Sequence, residues 1–121
     1  MAVTLDEYTT HSNTVNQGIT GFANNAYSAD WSGSEEAVAA VAAKHIYITS
    51  IAISCSAAIN LTVFEGSGGN ELWGPVFFLA DGGTFASVEF NPPLKIAVNT
   101  AVEVDGSGAG AATVMVQGFI S

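Results

Sequence analysis

An all-β fold, a sandwich or barrel of short strands, is what this sequence predicts, and three observations carry that reading. From Lys44 to Ser121 the chain is a series of short apolar runs, each cut off by glycine, proline, asparagine or aspartate. Runs such as 45–48, 59–63 and 114–120 alternate in side-chain character with period two. That period sends one set of side chains to a core and the other to solvent or a partner. The runs recur at intervals of roughly 8–12 residues with turn signals between them, as strands do in sandwiches and barrels.

Taken in order, residues 35–43 (EEAVAAVAA) admit two readings. Alanine density and Val38 and Val41 at i, i+3 fit a short helix preceded by Ser34. A strand fits as well and is preferred, because a β-branched run follows almost at once. Residues 45–55 predict a strand with a change of parity: Ile46 and Ile48 share one phase, Ile51, Ile53 and Cys55 the other. Such a change inside one run marks a bulge or bend near Thr49 and Ser50. Ile59, Leu61 and Val63 give the next strand, ended by the glycine-rich stretch 66–70. Leu72 to Leu79 forms another, and Gly74-Pro75 places it at an edge or a bend, since proline has no N–H for the ladder. Asp81-Gly82-Gly83 predicts a tight turn into a strand from Phe85 to Phe90, and Asn91-Pro92-Pro93 breaks regular pairing after it. Leu94, Ile96 and Val98 alternate, Asn99-Thr100 turns, and Val102 and Val104 alternate again. A glycine-rich loop over 105–110 leads to a last strand from Ala112 to Ile120. Seven or eight strands result, with Ile53, Leu61, Val104 and Val116 in phase for the core.

Residues 1–34 differ in kind. They are rich in Thr, Ser, Asn, Gly and Ala, with isolated aromatics at Tyr8, Phe22, Tyr27 and Trp31 and no sustained period. A polar segment of this composition buries little by itself. It reads as an extended N-terminal arm over 1–34 before a β-sandwich domain over 35–121. A solvated tail needs no aromatics, so Tyr8, Phe22, Tyr27 and Trp31 are taken as anchors on the chain's own domain or on a neighbour.

At 121 residues the chain makes one domain, and 49% hydrophobic residues supply a core without metal or disulfide. The lone Cys55 has no intramolecular partner and sits in phase with Ile51 and Ile53, as an inert core thiol does. Eleven acids against two bases, Lys44 and Lys95, give a formal charge of −9. That balance disfavours nucleic acid and anionic membrane, both of which recruit cations. Met1 to Glu7 lacks the basic and apolar regions of a signal peptide, and no apolar run reaches the ~18–20 residues that span a bilayer. A soluble protein made in the cytoplasm is expected.

Catalytic motifs are wanting. His11 and His45 lie in different segments, and nothing local sets either beside a nucleophile. Glu65 and Asp105 stand where a Gly-x-Ser-x-Gly elbow around Ser67 or Ser107 needs its first glycine. The loops 66–69 and 106–110 lack the Lys-Ser/Thr and helix of a phosphate-binding loop. Adjacent Glu35 and Glu36 point to opposite faces of a strand, poor geometry for a carboxylate pair. No spaced His and Cys ligands suggest zinc, so neither metal, cofactor nor enzyme activity is expected. Trp31 and Trp73 fit sugar stacking if exposed; packing at a sheet edge or subunit contact is the preferred reading for Trp73.

The string from Lys44 to Val63, with the later pieces at 72–76 (LWGPV), 81–84 (DGGT), 90–95 (FNPPLK), 99–104 (NTAVEV) and 114–119 (VMVQGF), resembles small β-sandwich virion proteins of tailed bacteriophages. The likeness covers about residues 38–121 and is one of strand cadence and turn chemistry. Proteins of this kind include capsid decoration (cement) proteins, with related modules in tails and fibres. The resemblance implies a single jelly-roll-like antiparallel β-sandwich, often trimeric, with arms reaching over neighbouring subunits. It implies a structural virion protein on the outer capsid surface, binding the major capsid protein at junctions between its subunits. The −9 charge suits that outer surface better than a lumen facing DNA. The contacts expected between subunits of a homotrimer are Trp73, Phe77 and Phe119. A carbohydrate- or receptor-binding module of a phage tail or fibre, which needs an exposed aromatic platform, is the other reading kept open.

Overall fold

The computed structural model describes residues 19–79 and 84–121, and in them eight strands form two four-stranded antiparallel sheets. The strands are β1 (Thr20–Ser28), β2 (Glu35–Val38), β3 (Ile46–Cys55), β4 (Asn60–Glu65), β5 (Asn70–Phe77), β6 (Thr84–Lys95), β7 (Val102–Gly106) and β8 (Ala112–Ile120). One sheet has the order β1-β8-β3-β6 and the other β2-β7-β4-β5. The pairs 1·8, 2·7, 3·6 and 4·5 are nested: the first half of the chain lies antiparallel along the second, and the doubled ribbon is rolled into two sheets. That is the jelly-roll order.

Between the sheets lies the core. Ile46, Ile48, Ile51, Ile53 and Cys55 of β3, Leu61 and Val63 of β4, Val102 and Val104 of β7, and Val114 and Val116 of β8 are all buried. Two parities of β3 face inward because the register shifts between Ile48 and Ser50 against both neighbours. Thr49 is the extra residue, and its hydroxyl donates to the Gln117 carbonyl at 3.1 Å. The four residues expected in the core are buried completely. Ile53→Ala or Leu61→Ala is therefore expected to cost about 2–5 kcal/mol in urea denaturation. A cost below about 0.5 kcal/mol, the level of a surface change, would contradict this register.

Residues 35–38 are a strand rather than a helix turn, and Ala37 and Val38 are buried. Gly74-Pro75 lies in β5, an edge strand whose register shifts twice against β4. Gly74 has φ 117°, and a Cβ there would sit 2.8 Å from the Leu61 carbonyl oxygen, so only glycine fits. Asn99 turns the chain with φ 53°. The turn expected over 81–83 lies outside the described residues.

Two expectations need correction. Asn91-Pro92-Pro93 interrupts the pairing, as expected, but does not end the strand. β6 pairs with β3 through Glu89 opposite Ser50, then again through Leu94 opposite Ile48. Residues 90–93 bulge out against Thr49 alone, which an edge strand tolerates because its outer side has no ladder to break. The arm boundary also moves. Residues 20–28, assigned to the arm, are β1, paired residue for residue with β8 from Thr20↔Ile120 to Ser28↔Ala112. Trp31 is 1% exposed, inside the core, and its indole Nε1 donates to the Ala112 carbonyl at 2.9 Å.

Candidate functional site

Alternation along a jelly roll sends every second side chain outward, so each sheet presents an outer face. On the β1-β8-β3-β6 sheet four cross-strand rows can be followed. The first is Tyr27, Thr113, Ser54 and Phe85; the second is Asn25, Met115, Ala52 and Ser87. The third is Ala23, Gln117, Ser50 and Glu89, and the fourth is Gly21, Phe119, Tyr47 and Lys95. In the fourth row Tyr47 and Phe119 stack at 4.7 Å between centroids, and the Lys95 ammonium lies 6.0 Å from the Tyr47 ring. Within the third, the Ser50 hydroxyl donates to Gln117 Oε1 at 3.0 Å. Glu89 and Lys95 are the only charges among these sixteen positions.

The other sheet carries the acids. Glu36, Glu103, Phe64 and Glu71 form one row across it, and Asp105 faces Thr62 beside that row. Glu36 directly opposite Glu103 is an unfavourable like-charge pair; the Ser34 hydroxyl donates to Glu103 Oε1. In the loop after β1, the Ser32 hydroxyl and backbone N–H hold the Asp30 carboxyl below the ordinary carboxylate range. The two sheet faces thus differ sharply in charge.

Large exposed apolar side chains gather at one end. Tyr27 and Phe85 are each 65% exposed and bracket the first row. Phe77 is 72% exposed and Leu79 74%. Phe77 pairs with Asn60 at the start of β4, five residues past the end of β3 at Cys55, so it shares the end that Ser54 and Phe85 occupy. The loops β1–β2, β3–β4 and β7–β8 surround this end. A shallow open hollow of about 290 Å³ lies there, lined by Tyr27, Ser54, Ser56 and Thr113 among others. Val98 at the opposite end, 49% exposed, is the one large apolar outlier among the described residues.

The expected anchors and contacts are therefore divided. Tyr8 lies outside the described residues. Phe22 packs on the core from β1, Tyr27 is exposed, and Trp31 is buried in its own domain, where it is not available to a partner. Trp73 is half-buried against the core, Phe77 is exposed, and Phe119 is half-buried against Tyr47. Phe78 is a core residue at 5% exposure. Of the three expected subunit contacts, Phe77 alone is largely exposed. Sequence reading missed Leu79 and Tyr47 as surface groups. Phe77, the last residue of β5, is exposed and Phe78 just past it is buried, and their order alone does not say which is inside.

The groups weighed for chemistry have structural partners. His45 Nδ1 donates to the Ile96 carbonyl at 2.7 Å, tying the start of β3 to the chain just past β6. Cys55 is buried with its sulfur 3.4 Å from the Ala57 carbonyl. Among the described residues no group of three or more His, Cys, Asp or Glu is placed to hold a metal ion. No protein-family model matches this chain, and no curated protein matches it.

Proposed function

We propose that this chain is a structural virion protein of a tailed bacteriophage, non-enzymatic, that decorates the outer surface of the head and stabilises junctions between major capsid subunits. The observation that carries the reading is the one-ended exposure of Tyr27, Phe77, Leu79 and Phe85 on a jelly roll. Single exposed apolar residues are ordinary, whereas four collected at one end of a small sandwich favour a docking surface. Neither lysine belongs to that end: Lys95 is in the fourth row and Lys44 precedes β3. Glu36, Glu71 and Glu103, in one row on the other sheet, then face solvent and keep the particle exterior anionic, while Asp30 and Glu35 lie beside the apolar end. The low basic content fits a place outside the shell better than one against packaged DNA.

A test is co-sedimentation of the purified protein with heads assembled without it. Saturable binding in fixed ratio to the major capsid protein is expected. The Phe77→Ser/Leu79→Ser variant is expected to lose about tenfold or more in affinity, since each removed apolar contact contributes roughly 1.5–3 kcal/mol when fully buried. Absence of saturable binding would refute the reading.

One observation favours a second reading. Tyr27 stands exposed beside the hydroxyls of Ser54, Ser56 and Thr113 around the open hollow. An aromatic face with neighbouring hydroxyls suits a sugar ring, as in a carbohydrate- or receptor-binding module of a tail or fibre. A glycan array separates the two: selective glycan binding abolished by Tyr27→Ala, without head binding, would favour the second.

A further inference from the structure

Four strands of this sandwich are edges, and three carry the devices that keep edges from pairing. β6 has Pro92, Pro93, the 90–93 bulge, Glu89 and Lys95. β5 has Gly74-Pro75, two register shifts and Glu71. β2 has only four residues, one register shift, and Glu35 and Glu36. β1 has none of them: nine residues (TGFANNAYS), no proline, no charge and no register shift against β8. Among the described residues β8 is its only strand neighbour. β2 touches it through side chains, as where Asn24 Nδ2 donates to the Ala37 carbonyl at 3.5 Å. An unblunted edge of this length is a template for another strand.

The sequence of β1 also indicates which strand. Laid antiparallel on a copy of itself about a two-fold axis at Asn24, all nine residues pair. This centred register is the one that uses the whole strand. Tyr27 then lies across from Gly21 of the second copy, Phe22 from Ala26, Asn25 from Ala23, and Thr20 from Ser28, with the two Asn24 amides meeting at the axis. Each aromatic ring meets a residue with little or no side chain, and no charge meets a like charge. We infer that β1 is a self-association edge: two copies of this chain join β1 to β1 and form one continuous eight-stranded sheet with closed two-fold symmetry. Tyr27, 65% exposed in the single chain, becomes covered over Gly21 of its partner. A contact made by one strand pair is small, so the dimer is weak, with a Kd on the order of 10–100 µM. Each chain carries −9, so association tightens as salt rises.

The test is sedimentation velocity of the full chain from about 5 to 500 µM, spanning the expected Kd. Ala23 and Asn25 are both exposed, so substitutions there leave the fold intact. Ala23→Lys/Asn25→Lys sets lysine opposite lysine twice across the axis. It is expected to raise the Kd about tenfold, even though it lowers the repulsive net charge. Ala23→Lys/Asn25→Glu sets opposite charges across the same axis and is expected to restore association to the wild-type level or tighter. Hydrogen exchange of the wild-type protein adds a measurement that needs no variant: β1 amides are expected to exchange more slowly at high concentration. A monomer across the whole range, a trimer, a Lys/Lys variant that associates like wild type, or β1 exchange independent of concentration would each overturn the inference. It stands independently of the capsid reading: a free dimer that does not bind heads keeps the one and removes the other.

Discussion

Trp31→Ala is expected to destabilise the protein by about 3–5 kcal/mol, the range for deleting a buried aromatic side chain. For a chain of this length that corresponds to a Tm lower by roughly 10–20 °C. Two terms act together. The indole, 1% exposed, fills space among the buried apolar residues of both sheets, and its removal leaves a cavity. Its Nε1 also satisfies the Ala112 carbonyl at 2.9 Å, across 81 residues of sequence. The backbone on either side is held as well: the Trp31 N–H donates to the Gly110 carbonyl, and the Gly106 N–H to the Trp31 carbonyl. Trp31→Phe keeps most of the apolar bulk and loses the donor, so an intermediate loss of about 1–3 kcal/mol is expected. Differential scanning calorimetry of the three proteins measures both terms. A Trp31→Ala protein within about 1 kcal/mol of wild type would return this residue to a peripheral arm.

Gly118→Ala is the second large effect. A Cβ at Gly118 would lie 1.8 Å from the Tyr47 carbonyl oxygen and 2.9 Å from its carbon. Neither atom belongs to a flexible side chain. The bulge at Thr49 displaces β3 against β8 at this point, and Gly118 stands opposite Ile48 on one side and Phe22 on the other. One added methyl must push two central strands apart or break their ladder. A loss of at least about 3 kcal/mol is expected, at the upper end for overpacking. Denaturant titration checks it. The same change at Gly33, where a Cβ meets nothing within 4 Å, serves as a near-neutral control. Equal stability of the two variants would mean that the bulge is not where the structure places it.

The sequence made the fully sandwiched strands legible because their side-chain period survives every tertiary detail. The parity change at Thr49 and Ser50 read directly as a bulge, since one extra residue exchanges the faces of all that follow. The bounds of β8 read equally well, because a central strand buries Ala112, Val114 and Val116 in strict alternation. β1 was not legible, and its edge position is the reason. It has one neighbour, and its inward side chains are Phe22, Asn24, Ala26 and Ser28, of which only two are apolar. Composition therefore grouped it with the polar residues before it. Trp31 was read as an isolated anchor because the carbonyl it binds is remote in sequence. The prolines at 92 and 93 read as a strand end, whereas an edge strand bulges and resumes. As to the surface, sequence located aromatic residues but not their sidedness. Phe77 is exposed and Phe78 buried because the Phe78 N–H donates to the Ile59 carbonyl at the end of the sandwich.

Attachment to the head exterior through the aromatic end is most directly tested by imaging heads assembled without this protein after incubation with a saturating excess of it. The expected reconstruction has added sandwich-sized density on the outer surface, at junctions between capsid subunits, with Phe77, Leu79 and Phe85 turned toward the shell. Heads without added density at saturation, or with density only on the inner surface, would contradict the proposal.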